Sequence, residues 1–110
     1  MADTEVYLDI ETIRRLVREG KYYFYVHALT EAKKEGVTPE DAVYVVLNGN
    51  IIERSPERKR TLVFGMMTSN IPLHVVCDYS NDDLILIPTV YIPSRRRWVS
   101  SQRRKAKGEK

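Results

Sequence analysis

His27 and His74 are the only histidines in this 110-residue chain, so they are the two side chains whose unperturbed proton affinity lies near neutrality. His74 stands in Pro72-Leu73-His74-Val75-Val76, and a Thr and a Tyr follow in Thr89-Val90-Tyr91-Ile92-Pro93. Two imidazoles can divide a proton transfer, one accepting and one donating, with Thr89 and Tyr91 as hydroxyl neighbours. Cations that could hold a phosphate lie in two places: Arg54, Arg58, Lys59 and Arg60 between apolar runs, and Arg95 and Arg96 after Tyr91. Trp98 can stack on a base. Each of these residues also has a plainer role. A histidine inside an apolar strand serves as a hydrogen-bonded structural residue, His27 as a polar contact at a helix start, Tyr91 as a partly buried strand residue and Trp98 as an aromatic anchor.

These groups must be positioned by residues 61–92, which hold three runs rich in β-branched, aromatic and Leu/Met residues. Two turn clusters separate them, Ser69-Asn70-Ile71-Pro72 and Ser80-Asn81-Asp82-Asp83. The pattern predicts an antiparallel meander. Counting those clusters as four-residue loops sets Thr68 opposite Leu73 and Tyr79 opposite Leu84. One face then carries Leu62, Phe64, Met66, Leu73, Val75, Cys77, Tyr79, Leu84, Leu86, Val90 and Ile92, and is the expected core side. The other carries Val63, Gly65, Met67, His74, Val76, Asp78, Ile85, Ile87, Thr89 and Tyr91, with His74 opposite Thr89, diagonal to Tyr91, and with Gly65 leaving a gap. A slip of one residue in either turn would invert the assignment.

Ahead of the meander, Asp9 is the expected cap of a first helix that stops at Gly20, and residues 21–27, Lys-Tyr-Tyr-Phe-Tyr-Val-His, fit a strand or a helix start equally well. A helix over residues 28–35 is expected to end at Gly36. Thr38-Pro39-Glu40-Asp41 then supplies a cap, a first-turn proline and first-turn acids for another that stops at Gly49. Residues 51–54 read as a fourth strand. The turn at 55–60 counts as five or six residues, which leaves the face of Arg54 open. Helices followed by antiparallel strands give an α+β domain over residues 1–98, with Trp98 and Val99 in a C-terminal basic arm or helix and a frayed tail at 99–110.

Charge is divided unevenly. Residues 95–110 hold eight basic residues against one acidic, a net of +7, and the remainder holds ten against fourteen, a net of −4. Any nucleic-acid affinity therefore belongs to the tail and to local patches. Cys77 is the only cysteine, which excludes an internal disulfide, and on the expected core face it is a small buried hydrophobe and not a nucleophile. With an acidic N-terminus lacking an apolar run, and no apolar stretch of membrane-spanning length, a cytoplasmic protein without membrane contact is expected. His27, His74 and Asp78 match no recognised zinc spacing, so no metal and no other cofactor is expected.

His27-Ala28, Glu40-Asp41, Asn48-Gly49-Asn50-Ile51-Ile52-Glu53, Pro72-Leu73-His74-Val75-Val76, Thr89-Val90-Tyr91-Ile92-Pro93 and Trp98 occur in an order and spacing that resembles the small prokaryotic family known as domain of unknown function 4258, over about residues 25–98. That family looks like a distant relative of RelE- and BrnT-type toxins. The resemblance implies helices on one face of a four-stranded antiparallel sheet and RNA cleavage on the other. It would make His74 and His27 a metal-independent proton-transfer pair, with an antitoxin-like protein as a partner beside RNA. The chain departs from the family pattern at Glu31 and Glu35, where members often carry arginines, and so loses two cations that would hold phosphate. A non-catalytic module binding RNA or protein through the same face is the competing expectation. A homodimer through Phe64-Gly65-Met66-Met67 or an unpaired sheet edge is a third.

Overall fold

Local capping sets the helices of the computed structural model, which describes residues 9–93. Helix α1, Ile10–Arg18, begins where Asp9 Oδ1 accepts from the Thr12 amide at 3.0 Å, and it buries Ile13, Leu16 and Val17. Helix α2, Val26–Lys34, has no side-chain cap and buries Ala28 and Ala32. Helix α3, Pro39–Asn48, opens on a reciprocal cap. Thr38 Oγ1 accepts from the Asp41 amide at 3.1 Å, and Asp41 Oδ2 accepts from the Thr38 amide at 2.9 Å.

The strands are β1 (Tyr22–Phe24), β2 (Asn50–Ser55), β3 (Arg60–Met66), β4 (Pro72–Asp78) and β5 (Ile85–Tyr91), with a single 3-10 turn, Pro56–Arg58, between β2 and β3. They form one sheet in the order β1-β5-β4-β3-β2. All neighbours are antiparallel except β1, which runs parallel to β5 with Tyr22 beside Ile85. The expected four-stranded antiparallel sheet is therefore a five-stranded mixed one. The added strand is three residues long and finds its partner far along the chain, a pairing that periodicity cannot register.

The expected faces also change, for two physical reasons. Met66 pairs with Pro72, so the turn between β3 and β4 has five residues, 67–71. It is closed by the Met67 amide donating to Ile71 O at 2.9 Å, with Asn70 at φ 69°. An odd loop in place of an even one inverts β3. Val63 and Gly65 face the core, and Leu62, Phe64 and Met66 turn to the other side with His74 and Val76. The second reason lies in β5, where Val76 pairs with Thr89 but Asp78 with Leu86, so β5 carries one extra residue between them. Pro88, which has no N–H to give a ladder, lies in that bulge. Ile85 and Ile87 consequently share the core side with Val90, where Leu84 and Leu86 were expected.

The three helices bury their apolar residues on one side of the sheet, against Val63, Leu73, Val75, Cys77, Ile85, Ile87 and Val90. Gly65 opens no gap in the outer face; it lets α3 approach. A Cβ on Gly65 would sit 3.1 Å from Val45 Cγ1 and 3.2 Å from the Gly49 Cα. Arg14 ties α1 to the end of α3, donating from Nε to Val46 O at 3.3 Å and from its terminal nitrogen to Gly49 O. A guanidinium there suits the negative end of that helix.

Candidate functional site

With the helices on one side, the opposite face of β2 to β5 is built from side chains in rows. Phe64, His74 and Tyr91 stand abreast on β3, β4 and β5, and Leu62, Val76 and Thr89 form the next row. In the third row Arg60 is opposite Asp78, and on β2 Glu53 stands beside Leu62 and Ser55 beside Arg60. His74 thus lies directly across from Tyr91, where Thr89 was expected, while Thr89 faces Val76.

A hydrogen bond of 2.9 Å joins His74 Nδ1 to the Tyr91 hydroxyl. The imidazole also meets two rings edge on, Tyr91 at 5.0 Å between centroids and Phe64 at 5.8 Å. It is wholly buried, 0% exposed, whereas Tyr91, Thr89 and Phe64 are half-buried. Of this hydrogen-bonded pair, Tyr91 is the member that reaches the surface. Next to this pair lies a hollow of about 200 Å³. Its walls are Glu53 and Ser55 of β2, Arg58 of the turn, Arg60, Thr61 and Leu62 of β3, Val76 of β4, and Thr89 and Tyr91 of β5.

An ion pair fixes one of the charges in the hollow. Arg60 Nε donates to Asp78 Oδ2 at 2.9 Å, and the Asp78 side chain is 7% exposed. Burial pushes the Asp78 carboxyl up, but the Ser80 hydroxyl and amide and the Arg60 guanidinium together outweigh it, and the group lies below the usual aspartate range. Arg60 is accordingly held in place, with part of its charge answered, while Arg58 is exposed at the rim. The Cys77 thiol, sealed in the core, is pushed up to about 12 by burial, far from any nucleophilic state.

Tyr91, Thr89, Arg58 and Arg60 are thus brought together around the hollow, with His74 directly behind Tyr91. His27 is not: it is exposed at the start of α2, a helix that buries Ala28 and Ala32 on the opposite side of the sheet. Arg54 pairs in register with Thr61, on the side of Cys77, and its charge helps hold the Asp9 carboxyl down, after the dominant hydrogen bonds from Thr12. Lys59 is exposed in the turn at φ 55°. Arg95, Arg96 and Trp98 lie outside the described residues.

Glu53, Ser55, Leu62 and Val76 line the hollow without having been singled out in the sequence. Only the correct register reveals them. Glu35, expected from the sequence as a departure that loses a phosphate-holding cation, accepts from the Ile92 amide at 2.8 Å and pins the end of β5 to α2. That position is structural here. Among the described residues no three His, Cys, Asp or Glu side chains gather as a metal site would require, and no helix is long and apolar enough to cross a membrane.

A family profile described as Domain of unknown function (DUF4258) matches residues 24–92. Neither a curated protein nor a solved structure matches the chain.

Proposed function

Because the chain belongs to the family described as Domain of unknown function (DUF4258), a membership that assigns no chemistry, its function has to be read from the helix-free face, and we propose that this face binds single-stranded RNA. What supports the reading is the hollow beside Tyr91. It combines an aromatic ring with the hydroxyls of Ser55 and Thr89 and the guanidinium groups of Arg58 and Arg60. Aromatic rings stack on exposed bases, hydroxyls take up base or ribose edges, and guanidinium groups take phosphate. At about 200 Å³ the hollow suits a single base or ribose and falls short of the roughly 300–1,000 Å³ of common small-molecule sites. Residues 95–110 add a net charge of +7 to the chain.

Cleavage is the second reading, and the His74–Tyr91 hydrogen bond favours it. A phenol backed by an imidazole can relay a proton: Tyr91 passes its hydroxyl proton to His74 Nδ1 and takes one from the ribose 2′-hydroxyl, whose oxygen attacks phosphorus, while the P–O5′ bond breaks and the leaving oxygen takes a proton from water. His27 has no part in such a relay, since its helix packs on the other side of the sheet. A kinship with RelE- and BrnT-type toxins would fit helices layered on one face of a sheet, and the parallel β1 departs from the expected plan. An antitoxin-like partner goes with the cleavage reading, and a homodimer is a separate alternative to both.

The test is single-stranded RNA binding by the full chain across a salt series, with cleavage followed in chelator. Neutralising about five phosphates gives a slope of log affinity on log salt near −3.5, and Arg58→Ala flattens it by about 0.7. Absence of binding at low salt, or a slope that ignores Arg58→Ala, refutes the assignment to this face. Cleavage that disappears in Tyr91→Phe while binding persists selects the second reading.

A further inference from the structure

Alternation along β1 sends neighbouring aromatic residues to opposite sides of the sheet. Tyr22 and Phe24 lie beside Ile85 and Ile87, so they pack against the core, where their rings meet edge on at 5.8 Å. Tyr23 lies beside Leu86 and takes the helix-free side. Tyr25 follows it there, because the ladder continues through the Tyr25 amide donating to Ile87 O at 3.0 Å and the backbone at Tyr25 is still extended. The Tyr23 and Tyr25 rings stand 6.3 Å apart at 56°. We infer that this pair is a second stacking site, taking a base of the same single-stranded RNA next to the nucleotide held in the hollow. The inference rests on the RNA reading of the hollow and adds a direction to it: the strand crosses β5.

Placement supports this first. Leu86 pairs with Asp78, Asp78 with Arg60 and Arg60 with Ser55, so Tyr23 ends a row whose other members include two walls of the hollow. Beyond Leu86 and the bulge, the next residue of β5 on this side is Thr89, a third wall. One strand spacing, about 4.8 Å, separates β1 from β5. Sheet surfaces take single-stranded RNA on aromatic side chains of neighbouring strands, each stacked on its own base. Tyr91 on β5 and the tyrosine pair on β1 form such a set.

Exposure and chemistry support it next. Tyr23 is 54% and Tyr25 37% exposed. Rings tilted at 56° do not stack on each other, which leaves each a face for a flat partner. The surface beside them changes from the half-buried Leu86 to Thr89 and the Arg60–Asp78 ion pair. Those polar groups suit a nucleotide and would be poorly matched beneath an apolar protein surface. Lys21, two residues before Tyr23, is in an exposed ion pair with Glu19 at 3.4 Å, a weak contact that a phosphate can replace.

The test is binding of the full chain to a single-stranded oligoribonucleotide of about eight residues, with far-ultraviolet circular dichroism as the check on folding. Replacing both rings, Tyr23→Ala with Tyr25→Ala, should weaken binding by about 5- to 150-fold, the range that stacking of one base supplies. Tyr23→Phe with Tyr25→Phe should bind as the parent does. The salt slope should stay at the parent value in the alanine variant, because no phosphate contact is lost, while Arg58→Ala flattens it. An abasic residue moved along the oligomer should, at one position, erase the difference between parent and alanine variant. Should the alanine variant fail to fold, Tyr23→Thr with Tyr25→Thr removes the rings and keeps a strand former, and photoreactive thiouridine in the oligomer should crosslink the parent chain in the peptide that holds Tyr23 and Tyr25. Parent-like binding by the alanine variant, or crosslinks that spare this peptide, overturn the inference. A loss of binding that comes with a changed mass in light scattering overturns it too, since the rings then serve a second copy. Weakening by Arg58→Ala alone keeps the hollow and removes the tyrosine site; weakening by the tyrosine variant alone keeps the tyrosine site and removes the hollow. No RNA binding at low salt removes both.

Discussion

Replacing Gly65 by alanine separates the two ideas of what this glycine does. A gap in the outer face would make the substitution a blow to the hollow; the observed close approach to α3 makes it a blow to stability. The new Cβ would stand 3.1 Å from Val45 Cγ1 and 3.2 Å from the Gly49 Cα, where carbon atoms prefer about 3.5–4.0 Å. Neither neighbour can yield freely. Val45 is 0% exposed, and Gly49 is backbone at a helix end held by Arg14. Overpacking of this kind costs about 1–3 kcal/mol, and the lower freedom of alanine in the unfolded chain returns about 0.4–1 kcal/mol. The net is a loss of about 1–2 kcal/mol, which at about 4–8 °C per kcal/mol lowers Tm by roughly 5–15 °C. Thermal and urea unfolding followed by far-ultraviolet circular dichroism measure it. Val45→Ala in the same chain should recover part of the loss, with non-additivity of about 0.5 kcal/mol or more. A Gly65→Ala protein that melts at or above the parent temperature would refute the reasoning about the β3–α3 contact.

Three further outcomes concern two buried ionisable groups, Asp78 and Cys77. Asp78→Asn should cost about 1 kcal/mol at pH 7, a modest figure because the Arg60 partner is 37% exposed. The Asp78 carboxyl is depressed when folded, so its contribution is present above the unfolded value near pH 4 and is lost as pH falls through the folded one. The gap between parent and variant in urea midpoint should therefore close below about pH 4, and a gap unchanged down to pH 2 would contradict the ion pair. Cys77 is raised to about 12 in the fold, so stability attributable to it falls as pH rises above the unfolded value of about 8.5, and Cys77→Ala should flatten the alkaline limb of the stability profile. In the native protein at pH 8 the thiol should resist an aromatic disulfide reagent until urea opens the core. Prompt labelling would disprove its burial.

Legibility in the sequence followed the range of the interaction. Asp9, Thr38, Pro39, Asp41 and Gly49 announce helix ends because capping is decided within four residues. The face shared by His74 and Tyr91 was legible for a subtler reason: the turn between β4 and β5 shifts the register by one residue and the β5 bulge by one more, and the even total moves a partner but keeps the side. The turn between β3 and β4 differs by an odd step, and Leu62, Phe64 and Gly65 change sides with it. Pro88 was a signal for the bulge, since a residue without an N–H interrupts a ladder. The pairing of Tyr22 with Ile85 had no local signal, because nothing in Tyr-Tyr-Phe specifies a partner so remote. The Arg60–Asp78 pair was hidden for the same reason: each charge is ordinary until the register sets them side by side.

That remote pairing has a consequence for synthesis. Strand β1 and the helix after it emerge from the ribosome early, yet the strand they rest against, Ile85–Tyr91, is made last among the described elements. Until it arrives, Tyr22, Phe24, Ala28 and Ala32 have no floor, and one edge of β4 stands open to any passing strand. Closure by the final strand is non-local and correspondingly slow, so a nascent chain stalled before residue 85 would present apolar surface to chaperones and proteases, and the folded protein would serve as its own signal that translation had reached the end of β5.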